Sequence, residues 1–135
     1  MTKNSEIILK NGEKITLVLE KTDDDGSFKI NAFNQCDAVL KIGYVTFNIK
    51  SSVCYLYRIE ICDEKYSHLG LGTAMLQFME FKAKDSRCRK VDGKFYPFGD
   101  MGKHAKDFYL KNGYQVYKDG YDTLIYKDLL RTFEK

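Results

Sequence analysis

Proline is nearly absent from the sequence, with one residue at Pro97. Linkers between domains are usually rich in proline, glycine or polar residues, so the chain has little linker character. No apolar run approaches the length of a membrane span, and the polar residues 1–6 do not start a signal peptide. These absences favour a cytoplasmic protein.

A strong charge of one sign is also lacking. The net charge is +3, which is too small to indicate nucleic acid as a partner. A short basic cluster, Arg87, Arg89 and Lys90, is expected to form the solvated end of a helix, with attraction of an anion as the alternative.

Cysteines are few and are not spaced as metal ligands. They occur at Cys36, Cys54, Cys62 and Cys88, and no two have CxxC spacing. The sequence therefore suggests neither a zinc site nor a disulfide framework, and we expect buried, reduced thiols and no metal.

What is present fits a globular protein. The 135 residues are 44% apolar and 30% charged, a balance that argues against disorder. We expect a single domain over residues 1–135. The sequence leaves the oligomeric state open, a homodimer included.

The first half of the chain is predicted to form strands. Apolar runs at residues 7–9 and 15–19 flank Asn11 and Gly12, a pair typical of a two-residue hairpin turn. Further strands are predicted at residues 28–33, at 38–50 and at 53–62.

The second half has a helical period. Between Leu71 and Asp85, one predicted face contains Leu71, Ala74, Met75, Phe78, Met79 and Phe81, and the opposite face contains Thr73, Gln77, Glu80 and Lys84. A strand at residues 91–96 and a second helix at 102–112 follow. Asp100 is the expected N-cap of that helix and Gly113 its left-handed end. Two last strands are predicted at residues 114–117 and 123–126.

The turn before the first helix contains two glycines, Gly70 and Gly72. The first amides of a helix have no intrahelical partner and lie at the positive end of its dipole. Glycines at that place let a phosphate approach the amides, so a side chain at residue 72 is expected to enter the phosphate path. The alternative is that both glycines only permit a tight turn.

Other phosphate-binding patterns do not fit this turn. A dinucleotide fingerprint needs a third glycine where Met75 stands, and a Walker loop needs a Gly-Lys-Ser/Thr sequence that the turn lacks.

Two segments resemble motifs of the GNAT acetyltransferase superfamily. Ser67, Gly70 and Gly72 fall on its pyrophosphate motif, Gln/Arg-x-x-Gly-x-Gly/Ala. Residues 105–114, Ala-Lys-Asp-Phe-Tyr-Leu-Lys-Asn-Gly-Tyr, are similar to its A-x-x-F-Y-x-x-x-G-[F/Y] motif. The motifs occur in the family's order.

This resemblance implies a mixed α/β (α+β) fold with a mostly antiparallel central sheet, flanking helices and a V-shaped cleft for CoA. It implies acetyl-CoA as co-substrate and contacts to it from one strand end and one turn: Ile61, Cys62, Ser67, His68, Leu69, Gly70, Leu71, Gly72 and Thr73.

The chain departs from the family pattern in two places. Ser67 stands where the family usually has Gln or Arg, which removes a contact to the phosphates. A hairpin replaces the two helices that commonly wall the acceptor site, so the resemblance says least about the acceptor.

Two residues are candidates for catalysis. Tyr109 matches the position at which many members place a general acid, with a core aromatic as the alternative. Glu60 interrupts an apolar strand and is the candidate base. The alternatives are a structural pair with Arg58 or across the strands, and a water chain as the base. A strand bulge near Ile61 or Cys62 would expose amides to an oxyanion. His68 and His104 are expected at the surface.

The sequence thus predicts an N-acetyltransferase that acts on a small-molecule or peptide amine. The alternative is a CoA-binding regulatory or interaction module without transfer activity.

Overall fold

The computed structural model describes residues 2–22, 25–95 and 99–129, and their side chains except at 2, 37–39 and 99–104. The strands are β1 (Thr2–Ile8), β2 (Lys14–Lys21), β3 (Ser27–Asn34), β4 (Asp37–Lys50), β5 (Val53–Ile61), β6 (Lys90–Phe95), β7 (Gln115–Asp119) and β8 (Asp122–Asp128). The helices are α1 (Leu71–Asp85) and α2 (Gly99–Lys111), and a short 3-10 turn covers Glu64–Tyr66. None of the described helices is long and apolar enough to cross a membrane.

The strands form one eight-stranded sheet in the order β1-β2-β3-β4-β5-β6-β8-β7. Only β5 and β6 pair in parallel, and α1 connects them as the crossover. The other neighbours are antiparallel, which confirms the mostly antiparallel sheet. Alternation sets the buried face, as in β2, where Ile15, Leu17 and Leu19 are buried.

The sheet opens between β5 and β6. Their pairing runs from Val53 opposite Lys90 to Leu56 opposite Gly93 and then stops, although β5 continues to Ile61. At this point the register of β4 and β5 shifts, so that β5 has one extra residue, Tyr57. Such a bulge bends and twists a strand, and here it lies where the pairing of β5 with β6 ends. The unpaired ends of the two strands bound a gap.

Helix α1 has the predicted bounds but a different buried face. Its buried residues are Leu71, Met75, Leu76, Met79, Glu80 and Ala83. Phe81 is 48% exposed, so its placement on the buried face was wrong, as was the placement of Glu80 on the exposed one. The reason is that Glu80 finds buried partners, which periodicity alone does not reveal.

Glu80 connects the helix to the end of the chain. Its carboxylate accepts hydrogen bonds from the Tyr114 hydroxyl at 2.7 Å and the Lys127 ammonium at 3.0 Å. Lys127 also donates to the Asn112 carbonyl at 3.0 Å. Burial, and then the charge of Glu80, raises the pKa of Tyr114. The hydroxyl therefore remains protonated and donates to the carboxylate.

Two turns differ from prediction and one agrees. Leu9 donates to the carbonyl of Glu13 at 2.9 Å, so the first hairpin has a three-residue loop with Gly12 left-handed, rather than a two-residue turn. Asp100 lies within α2, which begins at Gly99, and is not its N-cap. Gly113 has φ 88°, and Tyr114 donates to the Tyr109 carbonyl at 3.0 Å, which confirms the left-handed helix end.

The cysteines are only partly as predicted. All four are free thiols, but Cys36 and Cys62 are exposed whereas Cys54 and Cys88 are buried. Cys62 follows the last residue of β5, outside the core. The end of the predicted strand at residues 96 and 97 lies outside the described residues.

The Glu80 network gives a test of stability. Tyr114→Phe keeps the ring and removes one hydrogen bond to a buried carboxylate, so we expect the free energy of unfolding to fall by about 1.5–3 kcal/mol. Urea denaturation measures the change, with Tyr117→Phe on exposed β7 as the control. Equal stability of the two variants would show that the Glu80 contact contributes little.

Candidate functional site

The turn between β5 and α1 is anchored from two sides. Asp63 accepts a hydrogen bond from the backbone N–H of Lys65 at 3.1 Å and so caps the 3-10 turn. Tyr66 is buried, and its hydroxyl accepts from the Asn34 amide at 3.0 Å. The amide of Ser67 donates to the Glu64 carbonyl at 2.9 Å. These contacts hold the glycine turn at one end of the gap.

Helix α1 begins with unpaired amides, as an anion site requires. Gly70 precedes the helix with φ 91°, a conformation that favours glycine, and provides no side-chain cap. Ala74 donates to the Gly70 carbonyl at 3.0 Å, so the amides of Leu71, Gly72 and Thr73 have no partner within the helix. His68 is also left-handed, with φ 63°, and exposed. The turn thus offers backbone donors at a helix N-terminus.

Lys10 is a site residue that sequence analysis missed. Its backbone N–H donates to the carbonyl of Leu69 at 3.1 Å, which ties the β1–β2 loop to the glycine turn. Its Cε lies 3.9 Å from where a Cβ on Gly70 would stand. A lysine side chain therefore lies beside the turn, although nothing in the local sequence around Lys10 indicates this.

Gly72 has a packing role that the sequence did not predict. A Cβ added there would lie 3.1 Å from the Phe108 ring of α2, so it would not enter an open phosphate path. The expectation for a side chain at this residue was wrong, because α2 packs against the first turn of α1. The Gly72 amide remains among the first amides of α1.

The end of β5 exposes one of the two expected amides. Cys62 donates to the Ile42 carbonyl of β4 at 2.8 Å, so its amide is already used. Successive backbone N–H groups of a strand point to opposite edges, so the amide of Ile61 points toward the gap. The bulge lies at Tyr57, not near Ile61 or Cys62 as expected. The register of β5 shifts between the partners of Thr46 and Phe47 of β4, which leaves Tyr57 as the extra residue.

Tyr109 lies in an aromatic cluster on the β6 side of the gap. It is 4% exposed, and its ring centroid lies 5.3 Å from that of Phe95, 5.3 Å from that of Phe108 and 5.7 Å from that of Tyr114. Burial raises the pKa of Tyr109, so the hydroxyl is protonated at neutral pH and can donate. The burial suits both a general acid in a closed cleft and a core aromatic.

Glu60 lies on the other face of the sheet from α1. Its Oε1 accepts from Nη2 of Arg58 at 2.9 Å, the pair that sequence analysis kept as an alternative. Tyr44 of β4 is directly opposite. The hydrogen bond to Glu60 raises the pKa of Arg58, and burial followed by the charge of Glu60 raises that of Tyr44.

Metal chemistry has no candidate among the described residues, where no group of three or more His, Cys, Asp or Glu could hold an ion. The side chain of His104 lies outside the described part of the chain.

The contact between Gly72 and Phe108 can be tested. Gly72→Ala should lower the free energy of unfolding by about 1–3 kcal/mol, because the new methyl group overpacks the ring. In a Phe108→Leu background the same change should be neutral or stabilising, since alanine favours helix by about 1 kcal/mol over glycine. Chemical denaturation of the four proteins measures the coupling. Additive effects would mean that the ring does not constrain residue 72.

Sequence comparisons give one partial match. No protein-family profile matches the chain. A segment of 74 residues is 35% identical to the uncharacterized protein YdhI of Bacillus subtilis (strain 168). That segment covers 55% of this chain and 42% of YdhI, so less than half of the relative is matched.

Solved structures share most of the fold. The GNAT domain of S. lividans PAT superposes with a TM-score of 0.75 at 10% identity, over 93% of this chain and 97% of that domain. PaiA N-acetyltransferase from Thermoplasma acidophilum, solved in complex with coenzyme A, has a TM-score of 0.66 at 22% identity, over 76% of this chain and 61% of that one. A GNAT-family acetyltransferase from Staphylococcus aureus MU50 has a TM-score of 0.65 at 18% identity, over 78% and 70%. The protein therefore has the fold of the GNAT acetyltransferases, as its two motifs predicted.

Proposed function

We propose that this protein is an N-acetyltransferase that binds acetyl-CoA and transfers the acetyl group to an amine, a small molecule or a peptide. The observation that carries the proposal is that backbone donors without an intrachain partner among the described residues border the gap at two places. These donors are the first amides of α1 and the Ile61 amide on the open edge of β5. The coenzyme A complex of the PaiA neighbour supports the choice of ligand.

The ends of acetyl-CoA would bind to different parts of the gap. The pyrophosphate fits the amides of Leu71, Gly72 and Thr73, where the helix dipole favours an anion and Lys10 adds a positive charge. The pantetheine amides fit the free edge of β5 at Ile61, by the hydrogen bonding that another strand would make. Ser67, His68, Leu69 and Gly70 form the turn between these places, and Cys62 contributes through its position, since its amide is paired.

The chemistry requires two proton transfers. A neutral amine attacks the thioester carbonyl, a C–N bond forms, and the C–S bond breaks to release the thiolate. We assign the proton for that thiolate to Tyr109, whose pKa burial holds above its usual value. Glu60, or a water chain ending at it, takes the proton from the amine. Arg58 orients Glu60 but also competes for its carboxylate.

A CoA-binding module without transfer is the second candidate. Two observations favour it: Ser67 replaces the Gln or Arg of the family motif, and the carboxylate of Glu60 is already paired with Arg58 at 2.9 Å. The cytoplasmic location stays a prediction for either candidate.

Binding of acetyl-CoA is the first test. A ligand bound only by the folded state at 100 times its Kd stabilises the protein by about 2.7 kcal/mol, so the melting temperature should rise. Lys10→Gln keeps the backbone bond to Leu69 and should weaken affinity about fivefold, the scale of an exposed charge pair. Lys14→Gln, in the same hairpin, is the matched control. Coincident melting curves with and without acetyl-CoA, and no heat on titration, would reject the ligand.

Turnover of the wild type and of Tyr109→Phe distinguishes an acetyltransferase from a CoA-binding module. It also distinguishes Tyr109 as a general acid from Tyr109 as a core aromatic. It keeps the aromatic contacts, so melting temperature and acetyl-CoA affinity should change little. Turnover should fall by about 10²–10⁴-fold if the hydroxyl is the general acid. Release of CoA thiol with an amine panel measures the rate, with Tyr117→Phe as the control. Full turnover across the pH range would remove Tyr109 from the mechanism, and binding without any turnover in the wild type would favour the module.

A further inference from the structure

No described helix covers the sheet face opposite α1 and α2, which we call the second face. Both helices lie on the same face, since Phe108 of α2 meets α1 at Gly72 and Tyr109 packs against Phe95 of β6. On the second face, the side chains beside the open half of β5 are polar and charged. A molecule approaching the gap from this side meets them first.

Two lysines on this face share one tyrosine. The ammonium groups of Lys29 on β3 and Lys41 on β4 lie 5.0 and 4.9 Å from the ring centroid of Tyr44. Burial and then the proximity of Lys41 lower the pKa of Lys29. We call Lys29, Lys41 and Tyr44 the cationic cluster.

Among the side chains that the structure describes, the cationic cluster has no counter-ion within 4.0 Å. Ion pairs within 4.0 Å among the described side chains involve Arg58, Lys90, Lys94 and Lys127, but neither lysine of the cluster. Glu20 attracts Lys29 from farther away. Two ammonium groups that repel each other are stabilised by an anion placed between them. The cluster is therefore suited to an anionic group of a ligand.

The sheet register places the cluster next to the reacting part of the gap. Tyr44 pairs across the sheet with Glu60 of β5 on one side and with Asn31 of β3 on the other. Neighbouring strands are about 4.8 Å apart, so the cluster lies about 5–10 Å from β5. Farther along the same face is an open groove of about 520 Å³, lined by Glu6, Thr16, Val18, Phe33, Asn34 and Gln35. This groove provides room for the rest of a ligand.

We propose that the acetyl acceptor is an amine that also carries a carboxylate, bound between Lys29 and Lys41 while the amine lies toward Glu60 and the open end of β5. Charge-assisted hydrogen bonds from two ammonium groups orient the acceptor and select it against neutral and cationic amines. This inference rests on the proposed function and names the substrate class of that site.

Matched acceptors test the proposal. ε-Aminocaproate, its primary amide and cadaverine present the same chain with a carboxylate, a neutral group and an ammonium. We expect kcat/KM for the acid to exceed that for the amide by at least tenfold, the scale of one charge-assisted hydrogen bond. Lys41→Gln and Lys29→Gln should remove this preference by lowering kcat/KM for the acid to the level of the amide. Lys118→Gln on β7 is the control, and Lys41→Glu should shift the preference toward cadaverine.

Binding provides a readout that does not need turnover. With CoA present, the acetylated product of ε-aminocaproate should raise the melting temperature more than the product of its amide, and Lys41→Gln should abolish the difference. If the protein binds acetyl-CoA but acetylates the acid and the amide at equal rates and binds their products equally, this inference is overturned while the proposed function stands. A preference for an aminoalkyl phosphate over the acid would overturn the carboxylate assignment. Absence of acetyl-CoA binding in the wild type would overturn the proposed function and, with it, this inference.

Discussion

The parallel pairing of β5 and β6 is the constraint on which the rest of the structure depends. It holds for four residue pairs, from Val53 opposite Lys90 to Leu56 opposite Gly93. Gly93 allows this close approach, because a Cβ there would stand 3.0 Å from the carbonyl oxygen of Leu56 and from the Ile125 side chain. Beyond it, β5 continues past the extra residue at Tyr57 without pairing with β6, and the Ile61 amide points into the resulting gap.

Contacts on the face of the sheet that carries the helices connect the two walls of the gap. On one wall of the gap are β5 and α1, and on the other are β6, α2 and the last strands. Phe108 packs on Gly72, and the buried carboxylate of Glu80 receives hydrogen bonds from Tyr114 and Lys127. These contacts fix the separation of the two walls while the strands themselves do not pair. An open sheet can therefore keep a defined cleft, which matters because catalytic groups must be held within fractions of an ångström.

Local pattern predicted most of the helices and strands, but not the contacts between distant residues. Leu71–Asp85 was predicted as a helix from its period, and Gly113 as a helix end from its residue type. The burial of Glu80 depends on partners 34 and 47 positions away, which no periodicity includes. Lys10 reaches the turn only because the first hairpin folds beside it. A contact between two distant segments therefore leaves no signal in either segment alone.

The N-terminal strands indicate where specificity can reside under the proposed function. Strands β1 to β3 extend the sheet, and no described helix covers its second face. Under the proposed function, the acceptor is recognised by side chains that alternate along β3, β4 and β5. Strand side chains leave the sheet in fixed directions and at fixed spacings, so the Cβ atoms of Lys29, Lys41 and Glu60 stand at set positions relative to the gap. A site formed on a sheet selects an acceptor by the distance between its charged groups, because the strand spacing is fixed.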